Sequence, residues 1–151
     1  MPEATSKLKI TSSAFPEGGD IPVEYTCQGD DVNPPFHIES IPAETVTLAL
    51  IVEDPDAPGG TFDHWIVFNI ERTSSIARAS IPGISGINSA GKTGYLGPCP
   101  PSGSHRYYFR FYALDAHVEL AAGADKEALK KAMESHILAE GSLMGRYRKQ
   151  K

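Results

Sequence analysis

The sequence predicts a mainly β fold, a β-sandwich or barrel with a helix packed at its edge. Three observations point there. Short segments of strand-like apolar patterning recur along the chain, turn-forming stretches separate them, and one helical periodicity comes late. The 14 glycines and 12 prolines concentrate in those turns, in "FPEGGDIP", "CQGDDVNPP", "PDAPGG" and "LGPCPPSG".

In chain order, Leu8 to Ser12 and Phe36 to Glu39 read as short strands. "TVTLALIVED" sets Val46, Leu48, Leu50 and Val52 against Ala49 and Ile51. Both faces are apolar, which predicts a central strand. "HWIVFNI" alternates Trp65, Val67 and Asn69 with Ile66 and Phe68. A loop of over thirty residues follows, from "ERTSS" to "PPSG", and segments of that length serve binding or catalysis. "HRYYFRFYALD" has the clearest alternation: His105, Tyr107, Phe109, Phe111 and Ala113 face one way, Arg106, Tyr108, Arg110 and Tyr112 the other. "ADKEALKKAMESHILAEG" predicts a helix from Asp125, its N-cap, to Glu140, with Gly141 as the stop. Its stripe is Leu129, Ala132, Met133, His136 and Ile137. Leu143 to Arg148 is the last short strand.

The 151 residues suit a single domain, 1–151, with a substantial core. A formal charge of -5 argues against nucleic acid as a partner. The basic cluster "GRYRKQK" is short and terminal, and reads as a solvated tail. "MPEATSKLKITSS" lacks the apolar core of a secretory signal and no run reaches a membrane-spanning length, so a cytoplasmic protein is expected. The two cysteines, Cys27 and Cys99, are too few for a disulfide scaffold or a zinc site of their own. A cytoplasmic location favours thiols, while two loops expected at one end of the fold leave a bond between them open.

Chemistry concentrates in "DPDAPGGTFDHW". Asp54 and Asp56 follow a strand end across Pro55, and with Glu53 they place three acids in four positions. Such repulsion calls for a cationic or histidine partner. His64 opens the next strand, so a hairpin returns it to the end of the sheet that holds Asp54. His105 opens a strand after a second Gly/Pro loop, and Tyr107 shares its face. Imidazole beside carboxylate is the arrangement that orients the ring and raises its basicity. His37 and His117 read as surface or loop residues and His136 as helix packing.

Several enzyme readings fail on spacing. Asp54, Asp56, His64 and His105 are suitable metal ligand types, but no compact motif such as H-E-x-x-H supports a metal. No G-x-S-x-G elbow is present, and Ser102 and Ser104 beside His105 are not a triad. Cys99 is hemmed in by Pro98 and Pro100. "GINSAGKT" matches a phosphate loop formally, yet Gly94 and Gly97 interrupt the helix that must follow.

With both loops in view, the chain resembles the phosphatidylethanolamine-binding protein family, in its bacterial and archaeal branch, called Raf-kinase-inhibitor-like. "DPDAPGGTFDHWIVFNI" and "GKTGYLGPCPPSGSHRYYFRFYALD" look like that branch's two signatures. "YTCQGDDVNPPF" and "ALKKAMESHILAEGSLMGRY" resemble its flanking segments, so the likeness runs from about Phe15 to Tyr147. The resemblance implies an all-β, Greek-key antiparallel sandwich with one or two short helices and a small anion pocket at one end. By motif position its ligand-binding residues are Asp54, Asp56, His64, Gly97, Cys99, Pro101, His105 and Tyr107. Eukaryotic members carry an aromatic before a double histidine, where this chain has Phe62 and Asp63 before His64. The chain ends soon after Tyr147, which on this likeness makes for a shallower pocket.

The function expected is therefore binding of a phosphate-like anion or phosphorylated small molecule by a regulatory protein. It would modulate a protein kinase or inhibit a protease, as a monomer or homodimer, without cofactor or metal. In that scheme the histidines, kept protonated by the aspartates, and the backbone N–H groups of the Gly97 loop hold the anion. The alternative is a small-ester hydrolase built on Asp54, His64 and His105.

Overall fold

The computed structural model describes residues 6–150. The strands are β1 (Ser6–Lys7), β2 (Lys9–Thr11), β3 (Phe36–Glu39), β4 (Thr47–Asp54), β5 (Phe62–Glu71), β6 (Ser75–Ile76), β7 (Ile84–Ser85), β8 (Ser104–Leu114) and β9 (Ile137–Arg148). A single α-helix, α1 (Lys126–Met133), precedes β9, and Val23–Tyr25 form one 3₁₀ turn. Six strands make one sheet in the order β1-β9-β8-β4-β5-β7; β2, β3 and β6 make a second. Pairing is antiparallel except for β1 on β9, which is parallel, so the larger sheet is mixed.

The apolar patterning explains the layers. Leu48, Leu50 and Val52 of β4 join Phe109 and Phe111 of β8 in the core that also takes Ile10, Phe36 and Ile38 from the smaller sheet. Ala49 and Ile51 face the other way, against Ile66, Phe68, Leu129 and Met133 beneath α1. β4 is thus buried on both faces, as its continuous apolar run predicts. Val46 lies outside the strand and is 40% exposed, so it does not share the Leu48 face.

Two expectations are corrected. The helix begins as predicted, with Asp125 accepting a hydrogen bond from the Ala128 N–H, but ends at Met133. Residues 137–148 pair with β8 along its length. "ILAEG" has helix-forming residues, yet it opens a strand that buries Ala139, Leu143, Gly145 and Tyr147 at spacings of four and two, and ladder pairing overrides propensity. His136 accordingly leaves the helix stripe and pairs with Asp115 at 2.7 Å on the surface. Gly141 is not a stop either. It lies within β9, where a Cβ would run into the Leu8 carbonyl. Gly141→Ala is expected to cost about 1–3 kcal/mol through overpacking at this strand contact, seen as a lower urea midpoint with an unchanged m-value.

The second correction is Asn69. It sits in a bulge between Leu48 and Leu50 of the facing strand, with φ 53°, and both its amide groups bond to Val118 backbone. Ile70 therefore joins Val67 on the core face in its place. Asn tolerates the left-handed conformation that the bulge requires. The long segment after β5 holds β6, β7 and the bridge Ile87–Thr93, and no helix follows Lys92. His37 is on β3 beside Glu39 and His117 is beside Glu71, both exposed. Among the described residues no helix is long and apolar enough to cross a membrane.

Candidate functional site

β4 lies between β5 and β8, so its last residue, Asp54, is flanked by the strands that start near His64 and His105. Alternation along β5 would send His64 to the α1 side with Ile66. A register shift prevents this: Val52 pairs with Trp65 and Glu53 with Asp63, leaving His64 without a counterpart. Bulges of this kind re-aim side chains. The His64 ring comes edge-on to Tyr107, centroids 5.3 Å apart.

Asp63 is carried to the outer face, where Lys126 bonds to it at 2.7 Å and approaches Glu53 at 3.7 Å. Asp63 is therefore committed to Lys126 of α1 and does not line the cavity.

Asp54 is 3% exposed. Its Oδ2 meets His105 Nδ1 at 2.7 Å, and its Oδ1 accepts the Asp56 N–H at 2.8 Å. His64 Nδ1 is 2.8 Å from the Leu96 carbonyl. A carbonyl only accepts, so Nδ1 carries the proton, and neutral His64 presents a bare Nε2 lone pair. His105 is oriented the same way by the carboxylate. Neither Nε2 has a hydrogen-bond partner among the described residues. Burial pushes the His64 pKa below its ordinary value, against the opposing pull of the Leu96 carbonyl and of Asp54. This corrects the expectation that Asp54 keeps His64 protonated: desolvation outweighs the carboxylate.

The Tyr107 hydroxyl is buried and has no hydrogen-bond partner among the described residues. Burial, reinforced by Asp54, raises its pKa well above that of a free phenol, so it remains an O–H donor.

Seven of the eight expected residues (Asp54, His64, Gly97, Cys99, Pro101, His105 and Tyr107) line one cavity of about 340 Å³. Asp56 does not. Arg106 grips it in a fork, Nε to Oδ2 at 2.9 Å and Nη2 to Oδ1 at 2.8 Å, and the Arg106 N–H adds a third bond at 2.9 Å. These bonds hold the Asp56 carboxyl down to about 2. Arg106 does alternate away from His105, as predicted, but by doing so it removes one of the two carboxylates expected in the pocket.

Gly97 likewise lines the cavity without offering its N–H, which donates to Asp31 Oδ1 at 2.8 Å. A Cβ at Gly97 would meet that carboxylate, the Tyr25 carbonyl and Thr26. Asp31 and Leu96 have no signal in the sequence that marks them for the site, and Cys27 and Phe62 join its wall although they are not among the expected ligand-binding residues. Asp31 stands in a turn at φ 59°, and only its fold brings it to residue 97. Cys27 and Cys99 are joined in a disulfide with Cα atoms 5.5 Å apart, so the loops that carry them do meet, as a bond and not as thiols. The remaining wall is apolar: Ala57, Pro58, Phe62, Leu96 and Pro100. Among the described residues, no group of three or more His, Cys, Asp or Glu is arranged to hold a metal ion.

Comparison with known proteins bears on family and fold. The sequence family described as phosphatidylethanolamine-binding protein matches residues 11–148. A UPF0098 protein of Methanothermobacter thermautotrophicus is 43% identical over 150 residues, covering 94% of this chain and 99% of the relative. A UPF0098 protein of Chlamydia muridarum is 48% identical over 147 residues, covering 93% and 98%. The crystal structure of a putative phosphatidylethanolamine-binding protein homologue from Chlamydia trachomatis superposes with a TM-score of 0.92 at 43% identity, covering 97% of this chain and 100% of that one. YbcL of E. coli has a TM-score of 0.87 at 22% identity, covering 96% and 100%, a likeness of fold.

Proposed function

The chain belongs to the phosphatidylethanolamine-binding protein family, and from that premise we propose that its cavity binds a phosphate-like anion or phosphorylated small molecule in a regulatory role. One observation carries the reading. Two imidazole Nε2 atoms without partners and a buried, unpaired phenol share a single cavity with apolar walls. An unpaired buried hydroxyl is costly unless a ligand satisfies it. The proposed partner that reads the occupied pocket is a protein kinase or a protease.

The cavity lining holds no Lys or Arg, and its carboxylate is committed to His105. A neutral His64 offers a lone pair, which repels a fully ionised oxyanion. Binding such an anion therefore takes up a proton at an Nε2. Because the His64 pKa is depressed, that proton becomes available as the pH falls below the ordinary histidine value of about 6.5. Sulfate, whose charge is constant across this range, is expected to bind about 10–100-fold more weakly near pH 8.5 than near pH 5.5, the worth of one charge-assisted hydrogen bond. Titration calorimetry at the two values decides it. Equal affinities would mean that the anion is held without the imidazoles.

The Asp54–His105 pair, with Nε2 free, is also the orienting half of a general base, which is what favours the hydrolase reading. The cavity offers no hydroxyl or thiol nucleophile beyond Tyr107, so water would have to attack. Turnover of a chromogenic ester that His105→Ala abolishes would favour this second reading. Saturable sulfate binding without turnover supports the first.

A further inference from the structure

We propose that the Cys27–Cys99 bond is a thiol–disulfide exchange site, opened in the folded protein by a dithiol reductant, and that its opening loosens one wall of the cavity. Both cysteines are exposed and both line the cavity, so the bond is presented to solvent. Exposed disulfides are the labile ones, because an incoming thiolate reaches a sulfur without prior unfolding.

The fold does not depend on the bond to bring the two segments together. The Cys27 N–H donates to the Pro98 carbonyl at 3.1 Å, the Gly97 N–H to Asp31 at 2.8 Å, and the Tyr95 hydroxyl to the Tyr25 carbonyl at 2.8 Å. Past Pro98 the situation differs. In Pro98-Cys99-Pro100-Pro101 only Cys99 has a backbone N–H. Pro98 and Pro100 are held by burial, but among the described residues no backbone hydrogen bond beyond the Pro98 carbonyl ties this stretch to the Cys27 segment, and there the link is the sulfur bridge. Cys99, Pro100 and Pro101 all belong to the cavity wall, so this stretch gains freedom when the bridge opens.

The step balances. A thiolate of the dithiol attacks one sulfur, the S–S bond breaks, and the other cysteine leaves as a thiolate and takes a proton. The second thiol of the reductant then attacks the mixed disulfide, closing its own ring and releasing the first cysteine. The protein gains two electrons and two protons, and the reductant is oxidised.

The test uses the whole oxidised chain and dithiothreitol in native buffer. Two thiols per chain should appear at a rate that sub-denaturing urea leaves unchanged. Amide exchange at Cys99 should quicken about tenfold or more, while Cys27 and Gly97, held by their own hydrogen bonds, and the amides of β4 and β8 keep their protection. A reduction rate that climbs with urea in step with global unfolding overturns the proposal, because the bond is then reached only from the unfolded state. Thiols appearing without faster exchange at Cys99 overturn the coupling to the wall. The Cys27→Ser/Cys99→Ser variant should show the fast exchange without reductant; if it does not fold, the reduction experiment on the native chain still decides.

Discussion

His105→Ala should destabilise the protein by about 3–5 kcal/mol, the cost of leaving a buried charge without its partner. Asp54 is 3% exposed and meets His105 Nδ1 at 2.7 Å; without the ring it keeps only the Asp56 N–H. The loss is not simply that of a side chain. Asp54→Asn removes the charge that needs compensating, so the double variant Asp54→Asn/His105→Ala should be more stable than the sum of the two single losses predicts, by about 1–3 kcal/mol. Urea unfolding of the four proteins measures this coupling. Strict additivity would mean that solvent already screens the carboxylate. Sulfate binding should fail in both variants that lack His105, since one of the two free Nε2 atoms goes with it.

Phe109→Ala is the core substitution of comparable size. The ring is fully buried in β8, 5.0 Å from Phe36 of the smaller sheet and 5.8 Å from Phe15. It bridges the two sheets, so its removal leaves a cavity that neither sheet alone can close. The expected loss is about 3–5 kcal/mol. For a chain of this length that is a melting point lower by roughly 6–20 °C. Phe109→Leu, which refills most of the space, should cost about 1.5 kcal/mol or less. A Phe109→Ala protein with an unchanged melting point would show that the sheets repack around the gap.

Much of this was legible in the residue pattern, for a physical reason. β4 is a continuous apolar run packed on both faces and β8 is apolar at a period of two against the core, so local pattern and tertiary need coincide. Asp54, His64 and His105 were legible because an acid and two imidazoles at strand ends are expensive to place without a purpose. What escaped depends on partners distant in sequence. The start of β9 reads as helix until β8 is there to pair with it. The means by which His64 reaches the site also depend on pairing, since the register shift opposite Glu53 turns it from the Ile66 side. Asp56 reads as a pocket acid until Arg106, fifty residues on, takes both its oxygens. The depressed His64 pKa reflects burial that outweighs the Leu96 carbonyl at its Nδ1, a contact with no local signature.

The Cys27–Cys99 bond has one more consequence. It turns the chain between the two cysteines into a covalent ring that carries β3 to β7, with β8, α1 and β9 hanging from it. Lys92, Arg72 and Arg78 stand exposed on that ring. A protease that cuts at any of them opens the ring but frees no fragment, and the nicked molecule keeps the mass of the whole apart from one added water. The two pieces stay tethered beside the cavity, so Asp54 on one and His105 on the other remain in a single particle. Backbone integrity and site integrity are therefore separable in this protein for as long as the bond stays oxidised.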